Sequence, residues 1–152
     1  MMLDLIGRHH GDALARGVAE WFVHDRIRAS TDRERLQLRL RTGIRDDLVL
    51  DAVAHLEADQ EGPIPIAVVA RRLGVTIERL ERAFKAEVGL LPAEYYKRLK
   101  LQRARDLLEH SAMSVREIGL ASGYTSFSAF VRAFRNVYGK TPRQMRRVVD
   151  PR

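Results

Sequence analysis

One segment of this chain is written twice, and no other feature restricts the fold as tightly. The first copy reads Gly74-Val-Thr-Ile-Glu-Arg-Leu80-Glu-Arg82-Ala83-Phe84-Lys85 and continues through Val88, Gly89 and Pro92. The second reads Gly123-Tyr-Thr-Ser-Phe-Ser-Ala-Phe130-Val-Arg132-Ala133-Phe134-Arg135 and continues through Tyr138, Gly139 and Pro142. From Leu80 onward the matched residues recur fifty positions later, identical or closely related, whereas Gly74 and Gly123 are forty-nine apart. The second copy therefore has one extra residue in its turn. A duplicated unit of this size is a supersecondary motif, and two copies make a tandem pair.

Each copy has the grammar of a helix-turn-helix. A short apolar-periodic helix comes first, with Ile66, Val69, Ala70 and Leu73 in one copy and Val115, Ile118 and Gly119 in the other. Ala70 and Gly119, each four residues before the turn glycine, keep small the place where two crossing helices approach. Gly74 and Gly123 permit the positive φ of the turn. A second helix follows, with Leu80, Phe84 and Val88, or Phe130, Phe134 and Tyr138, on its buried side at helical spacing. Gly89 and Gly139 read as stops, and Pro92 and Pro142 as first residues of further helices.

Between the copies, Pro92 to about Glu109 reads as one helix of ~27 Å, with Tyr95, Tyr96, Leu99, Ala104, Leu107 and Leu108 as its buried residues. Half-sites one DNA turn apart lie at ~34 Å, so a rigid connector of this length suits two reading helices in one chain. Ser114 and Glu117 form a capping box, and Thr141-Pro142 caps the last helix. Asp46-Asp47 caps a helix whose apolar face is Leu48, Val49, Ala52, Val53 and Leu56.

The N-terminal third is less explicit. Leu14, Val18, Trp21 and Phe22 step along one side of a helix and are too apolar to stay solvated. Residues 29–45, arginine-rich and without a strong helical stripe, read as an interdomain linker, although Leu36, Leu38 and Leu40 alternate as in a strand.

Charge separates the segments. The chain carries 27 Lys and Arg against 20 Asp and Glu, a net of +7. Residues 97–152 hold +9 of net charge, and residues 46–96 hold −5. A basic third is an electrostatic footprint for nucleic acid, with a membrane surface or simple solubility as alternatives. There are no cysteines, which excludes disulfides, thiolate metal sites and a cysteine nucleophile. The five histidines lack ligand spacing, and no Walker, dinucleotide or hydrolase motif occurs. The sequence gives no reason to expect an enzyme, a metal or a cofactor. It contains no apolar run of ~18–20 residues and no signal pattern, so the expected location is cytoplasmic, away from any membrane.

Together these residues resemble the DNA-binding domain of the AraC/XylS family of bacterial transcription regulators, over about Asp46 to Val148. The second copy carries most of the signature: Ile118, Gly123-Tyr124, Ser126, Phe130, Arg132, Phe134, Arg135, Gly139, Pro142 and Arg146. It departs at Gly119, where the family usually has alanine, a change that loosens a helix by about 1 kcal/mol. Residues 1–28 are similar to the last two helices of the amidotransferase-like sensor found in one subgroup. That resemblance implies a sensor remnant at 1–28, a linker at 29–45 and a DNA-binding domain at 46–149, in a chain beginning at an internal methionine. The alternative is an independent helical extension that covers the domain or dimerises.

The expected architecture is all-α, with helix-turn-helix modules of homeodomain-like type at 66–89 and 114–139. In the second module the face opposite Phe130 and Phe134 offers Phe127, Ser128, Val131 and Arg132, with Arg135 a turn further on. The resemblance places base contacts at these positions: Arg132 suits guanine O6 and N7, and Phe127 and Val131 suit thymine methyls. In the first module the matching face is Glu78, Glu81 and Arg82, flanked by Arg79 and Lys85. Glutamate can accept from cytosine N4, or the two glutamates simply pair with Arg82 and Lys85 at i+4. Thr76, Thr125 and Ser126 stand at helix N-termini, where hydroxyls suit phosphate or serve as caps. Lys97, Arg98, Lys100, Arg103 and Arg105 give the connector a basic side. The implied partner is double-stranded DNA, with RNA polymerase and a second copy of the chain as candidates. The competing function is a protein-interaction module docking through the N-terminal helices.

Overall fold

The computed structural model describes residues 12–58 and 63–149. Its elements are α1 (Asp12–Thr42), α2 (Asp47–Ala58), α3 (Ile66–Arg72), α4 (Ile77–Glu87), α5 (Pro92–His110), α6 (Val115–Ala121), α7 (Phe127–Tyr138) and α8 (Pro142–Val149). No strand occurs among the described residues. The all-α expectation is met, and both helix-turn-helix units and the connector form where the repeat places them.

The chain divides into two compact units between Ile44 and Arg45. The first is built on α1, which runs unbroken through residue 28, so that the expected sensor tail and linker share one helix. Residues 29–42 are thus helical. Alternation at Leu36, Leu38 and Leu40 suggested otherwise, but Arg, Leu, Gln and Glu are all good helix formers and neither Gly nor Pro interrupts them before Gly43. The Thr31 hydroxyl donates to Ile27 O at 2.9 Å inside the helix, and Gly43, at φ 73°, donates to Arg39 O at 2.8 Å and ends it. The stripe of Leu14, Val18, Trp21 and Phe22 concerns side chains outside the described residues, as does everything before Asp12.

The second unit holds two small cores. Val49, Leu50, Val53 and Leu56 of α2 are buried, as are Val69 and Ala70 of α3 and Leu80 and Phe84 of α4. Leu50 replaces the half-buried Leu48 in the expected stripe. Asp46 is the N-cap, its Oδ1 accepting from Val49 N at 3.0 Å. The other core joins Leu101, Ala104 and Leu108 of α5, Ile118 of α6, and Phe130, Ala133 and Phe134 of α7, with Met145 of α8 packed against it. Along it Tyr124, Phe130, Phe134 and Tyr138 form a row of tilted and edge-to-face contacts with centroid separations of 5.4, 5.9 and 4.6 Å.

Helix α5 serves both cores. Tyr96, near its start, is buried, and its hydroxyl accepts from Ile64 N at 3.3 Å in the segment leading to α3. Leu101, outside the expected stripe, is fully buried, while Tyr95, Leu99 and Leu107 are only partly covered. The helix is 19 residues long, about 28 Å at the standard rise.

Candidate nucleic-acid interface

The two turns show how the repeat is executed. Gly74 and Gly123 adopt φ of 68° and 85°, a left-handed conformation that a side chain would strain. Val75 N donates to Ala70 O and Tyr124 N to Gly119 O, both at 3.0 Å, so the turns close identically. The extra residue of the second copy follows its glycine. Thr76 caps α4 two residues after Gly74, and Ser126 caps α7 three residues after Gly123. Their hydroxyls accept from Arg79 N at 3.2 Å and Ala129 N at 3.3 Å. Thr76 and Ser126, proposed as phosphate contacts, are thus engaged as caps. Thr125 is exposed and has no such role.

On α7 the expected reading face converges on one concave surface of about 530 Å³, lined by Phe127, Ser128, Val131, Arg132 and Arg135. Asn136 and Thr141 complete it. Neither carried a signal in the repeat: Asn136 continues the helical face one residue past Arg135, whereas Thr141 lies beyond α7 and caps α8, its hydroxyl accepting from Gln144 N at 3.2 Å. Phe127 remains 39% exposed, unusual for a phenylalanine beside a well-filled core. Val131 is half-buried and packs partly on that core. Arg132 and Arg135 are exposed. The surface therefore combines two cations, small hydroxyls and an apolar knob, which suits phosphates, base edges and thymine methyls.

The corresponding face of α4 differs in charge. Glu78, Arg79 and Arg82 are exposed and Glu81 is half-buried. Lys85 Nζ donates to Gly89 O at 3.2 Å, satisfying the end of its own helix. No ion pair joins Glu78 to Arg82 or Glu81 to Lys85 among the described residues, so the i+4 pairing alternative is not what holds these carboxylates.

The basic side of α5 is smaller than the sequence suggests. Lys97, Arg98 and Arg105 are exposed, Lys100 and Arg103 are half-buried, and the last three have partners within the protein. Lys100 lies between two tyrosine rings, Arg103 donates to Glu57 O, and Arg105 pairs with Glu109 at 2.9 Å. That Glu109 carboxylate holds the Arg105 pKa above the ordinary guanidinium value.

A family model for the helix-turn-helix domain matches residues 69–148. A solved AraC-type DNA-binding domain protein from Chromobacterium violaceum is 38% identical, with a TM-score of 0.64, covering 69% of this chain and 95% of that one. The chain belongs to the AraC family of transcriptional regulators. It is also similar to the HTH-type transcriptional regulator ArgR of Pseudomonas aeruginosa, at 38% identity over 96% of this chain and 44% of that protein. The chain thus spans less than half the length of that relative. The DNA-binding domain of AdpA, solved in complex with a target DNA, is 26% identical with a TM-score of 0.63, covering 70% of this chain and 99% of that one. As an AraC-family regulator the chain carries a helix-turn-helix DNA-binding domain, and no described helix is long and apolar enough to cross a membrane.

Proposed function

We propose that the domain at residues 46–149 binds double-stranded DNA sequence-specifically, with α4 and α7 lying in successive major grooves. The observation that carries this is the convergence of Phe127, Ser128, Val131, Arg132 and Arg135 on one exposed, concave, cationic face of a helix-turn-helix. In this reading Phe127, Ser128, Val131 and Arg132, with Glu78, Glu81 and Arg82, face bases. Arg135, Thr125, Ser126, Thr76, Arg79 and Lys85 face phosphates, the two caps doing so through hydroxyl protons. A regulator of this kind acts in the cytoplasm, on chromosomal DNA.

Selection from random duplexes followed by footprinting tests the reading. The expected result is a bipartite site with half-sites about one helical turn, ~34 Å, apart, and affinity that falls steeply with salt. Recovery of no preferred sequence, or of a site protected over one half alone, would overturn it.

A further inference from the structure

Besides their shared helix, the two modules come together at the turn before α7 and the entry to α3. Pro63 and Ile64, which lead into α3, and Gly123 and Tyr124, in the turn before α7, come together over Lys100 of α5. Its Nζ lies 5.0 Å from the Tyr96 ring centroid and 4.9 Å from that of Tyr124. Tyr96 is tied in turn to Ile64 N through its hydroxyl. A Cβ on Gly123 would touch both Lys100 Cδ and Pro63 Cδ at 3.5 Å, so the second turn lies against the entry of the first module. All other extensive helix packing stays within a module or runs onto α5.

An ammonium between two ring faces is attracted to both by their quadrupoles. Here one ring stands on α5 and is bonded to the first module, while the other belongs to the second. Burial, then the charge of Lys97, lowers the Lys100 pKa, and burial raises that of Tyr124, whose buried hydroxyl has no hydrogen-bond partner among the described residues. Both groups are withdrawn from water at this joint. A half-buried, ring-held ammonium is poorly placed to neutralise phosphate.

We infer that Lys100, held between Tyr96 and Tyr124, is a positioning residue that fixes the angle between the modules and thereby selects the spacing of the two half-sites. The spacing part rests on the proposed reading roles of α4 and α7; the angular part does not.

Because the chain has no cysteine, spin labels can be attached uniquely at Arg72→Cys on α3 and Arg116→Cys on α6, both exposed positions. In the full chain without DNA, Lys100→Met and Tyr124→Leu should each broaden the label-to-label distance distribution, whereas Lys100→Arg and Tyr124→Phe should keep it narrow. On duplexes whose spacer is varied one base pair at a time, Lys100→Met should lose roughly three- to tenfold affinity at the preferred spacing. Its affinity for the second half-site alone should stay within about twofold of native. Equally narrow distributions in Lys100→Met and Tyr124→Leu, both folded by circular dichroism, would overturn the inference. So would an equal loss on the half-site with a salt slope lowered by about one, which marks a phosphate contact. If DNA reading itself is wrong, the native chain selects no bipartite site, and the label distances still decide the joint.

Discussion

Gly119 and Phe130 are fitted to each other. A Cβ on Gly119 would lie 2.9 Å from Phe130 Cδ1 and 3.2 Å from Cγ, and Phe130 is fully buried between Tyr124 and Phe134. The ring cannot step back without moving its neighbours. At the matching places the first module has Ala70 and Leu80, also buried. One copy uses a larger residue on the first helix and a smaller one on the second, and the other copy reverses them.

The departure from alanine at Gly119 is therefore compensated. Gly119→Ala gains about 1 kcal/mol of helix propensity but overpacks the core at a cost of roughly 1–3 kcal/mol. We expect a small net loss of stability. In a Phe130→Leu background the same change should stabilise, giving a coupling of about 1–2 kcal/mol in a double-mutant cycle measured by urea unfolding. Equal effects in both backgrounds would mean that the two side chains do not compete for space.

The cap of α6 supplies a pH dependence. Ser114 N donates to Glu117 Oε2 at 2.8 Å and Glu117 N to Ser114 Oγ at 3.1 Å. The bond from the Ser114 backbone, then that from its side chain, holds the Glu117 pKa below its ordinary 4.5. A depressed carboxylate pKa contributes stability that is present above the unfolded value and is lost as pH falls through the folded value. Relative to Glu117→Gln, the native chain should lose stability between about pH 5 and pH 3 and be pH-independent above. Thermal unfolding of both proteins across that range checks it, and parallel curves would discard the charged cap.

Much of this was legible in the sequence because the repeat is a packing constraint. Leu80, Phe84, Phe130 and Phe134 had to be buried for either copy to fold, and all four are fully buried. The exposed faces of α4 and α7 followed by subtraction. What was not legible depends on tertiary partners. Lys100, Arg103 and Arg105 share a residue type with Lys97 and Arg98, yet two rings and a carbonyl draw Lys100 and Arg103 inward, and a carboxylate one turn on engages the exposed Arg105 at the surface. The helicity of residues 29–42 was missed for the opposite reason, since propensity outweighed the absence of an amphipathic stripe.

Arg132 and Arg135 should be separable. Arg132 stands among Phe127, Ser128 and Val131, and Arg135 lies one turn further on. Arg132→Ala should cost on the order of 1–3 kcal/mol and relax preference at one guanine. Arg135→Ala should weaken all sequences alike and lower the salt slope by about 1. Fluorescence anisotropy on a selected and a scrambled duplex at two salt concentrations distinguishes them. Identical behaviour of the two variants would contradict the assignment.

The modules themselves should contribute unequally. Residues 97–152 hold a net charge of +9, whereas 46–96 hold −5 and place Glu78 and Glu81 on the face of α4. Phosphate attraction supplies much of the binding free energy and is blind to base identity. The second module should therefore dominate affinity, and the first should act mainly by rejecting wrong sequences, since a carboxylate in the major groove is favoured where a base amino group such as cytosine N4 meets it. Removing both carboxylates, Glu78→Ala with Glu81→Ala, should tighten binding to scrambled DNA and leave the selected site unchanged or weaker. The specific-to-random ratio would then narrow, most at low salt, where repulsion from phosphate is least screened. Titrating the double variant against both duplexes at two salt concentrations measures that ratio directly. If affinity fell equally for both DNAs, the glutamates would be supporting the fold of α4 rather than reading sequence.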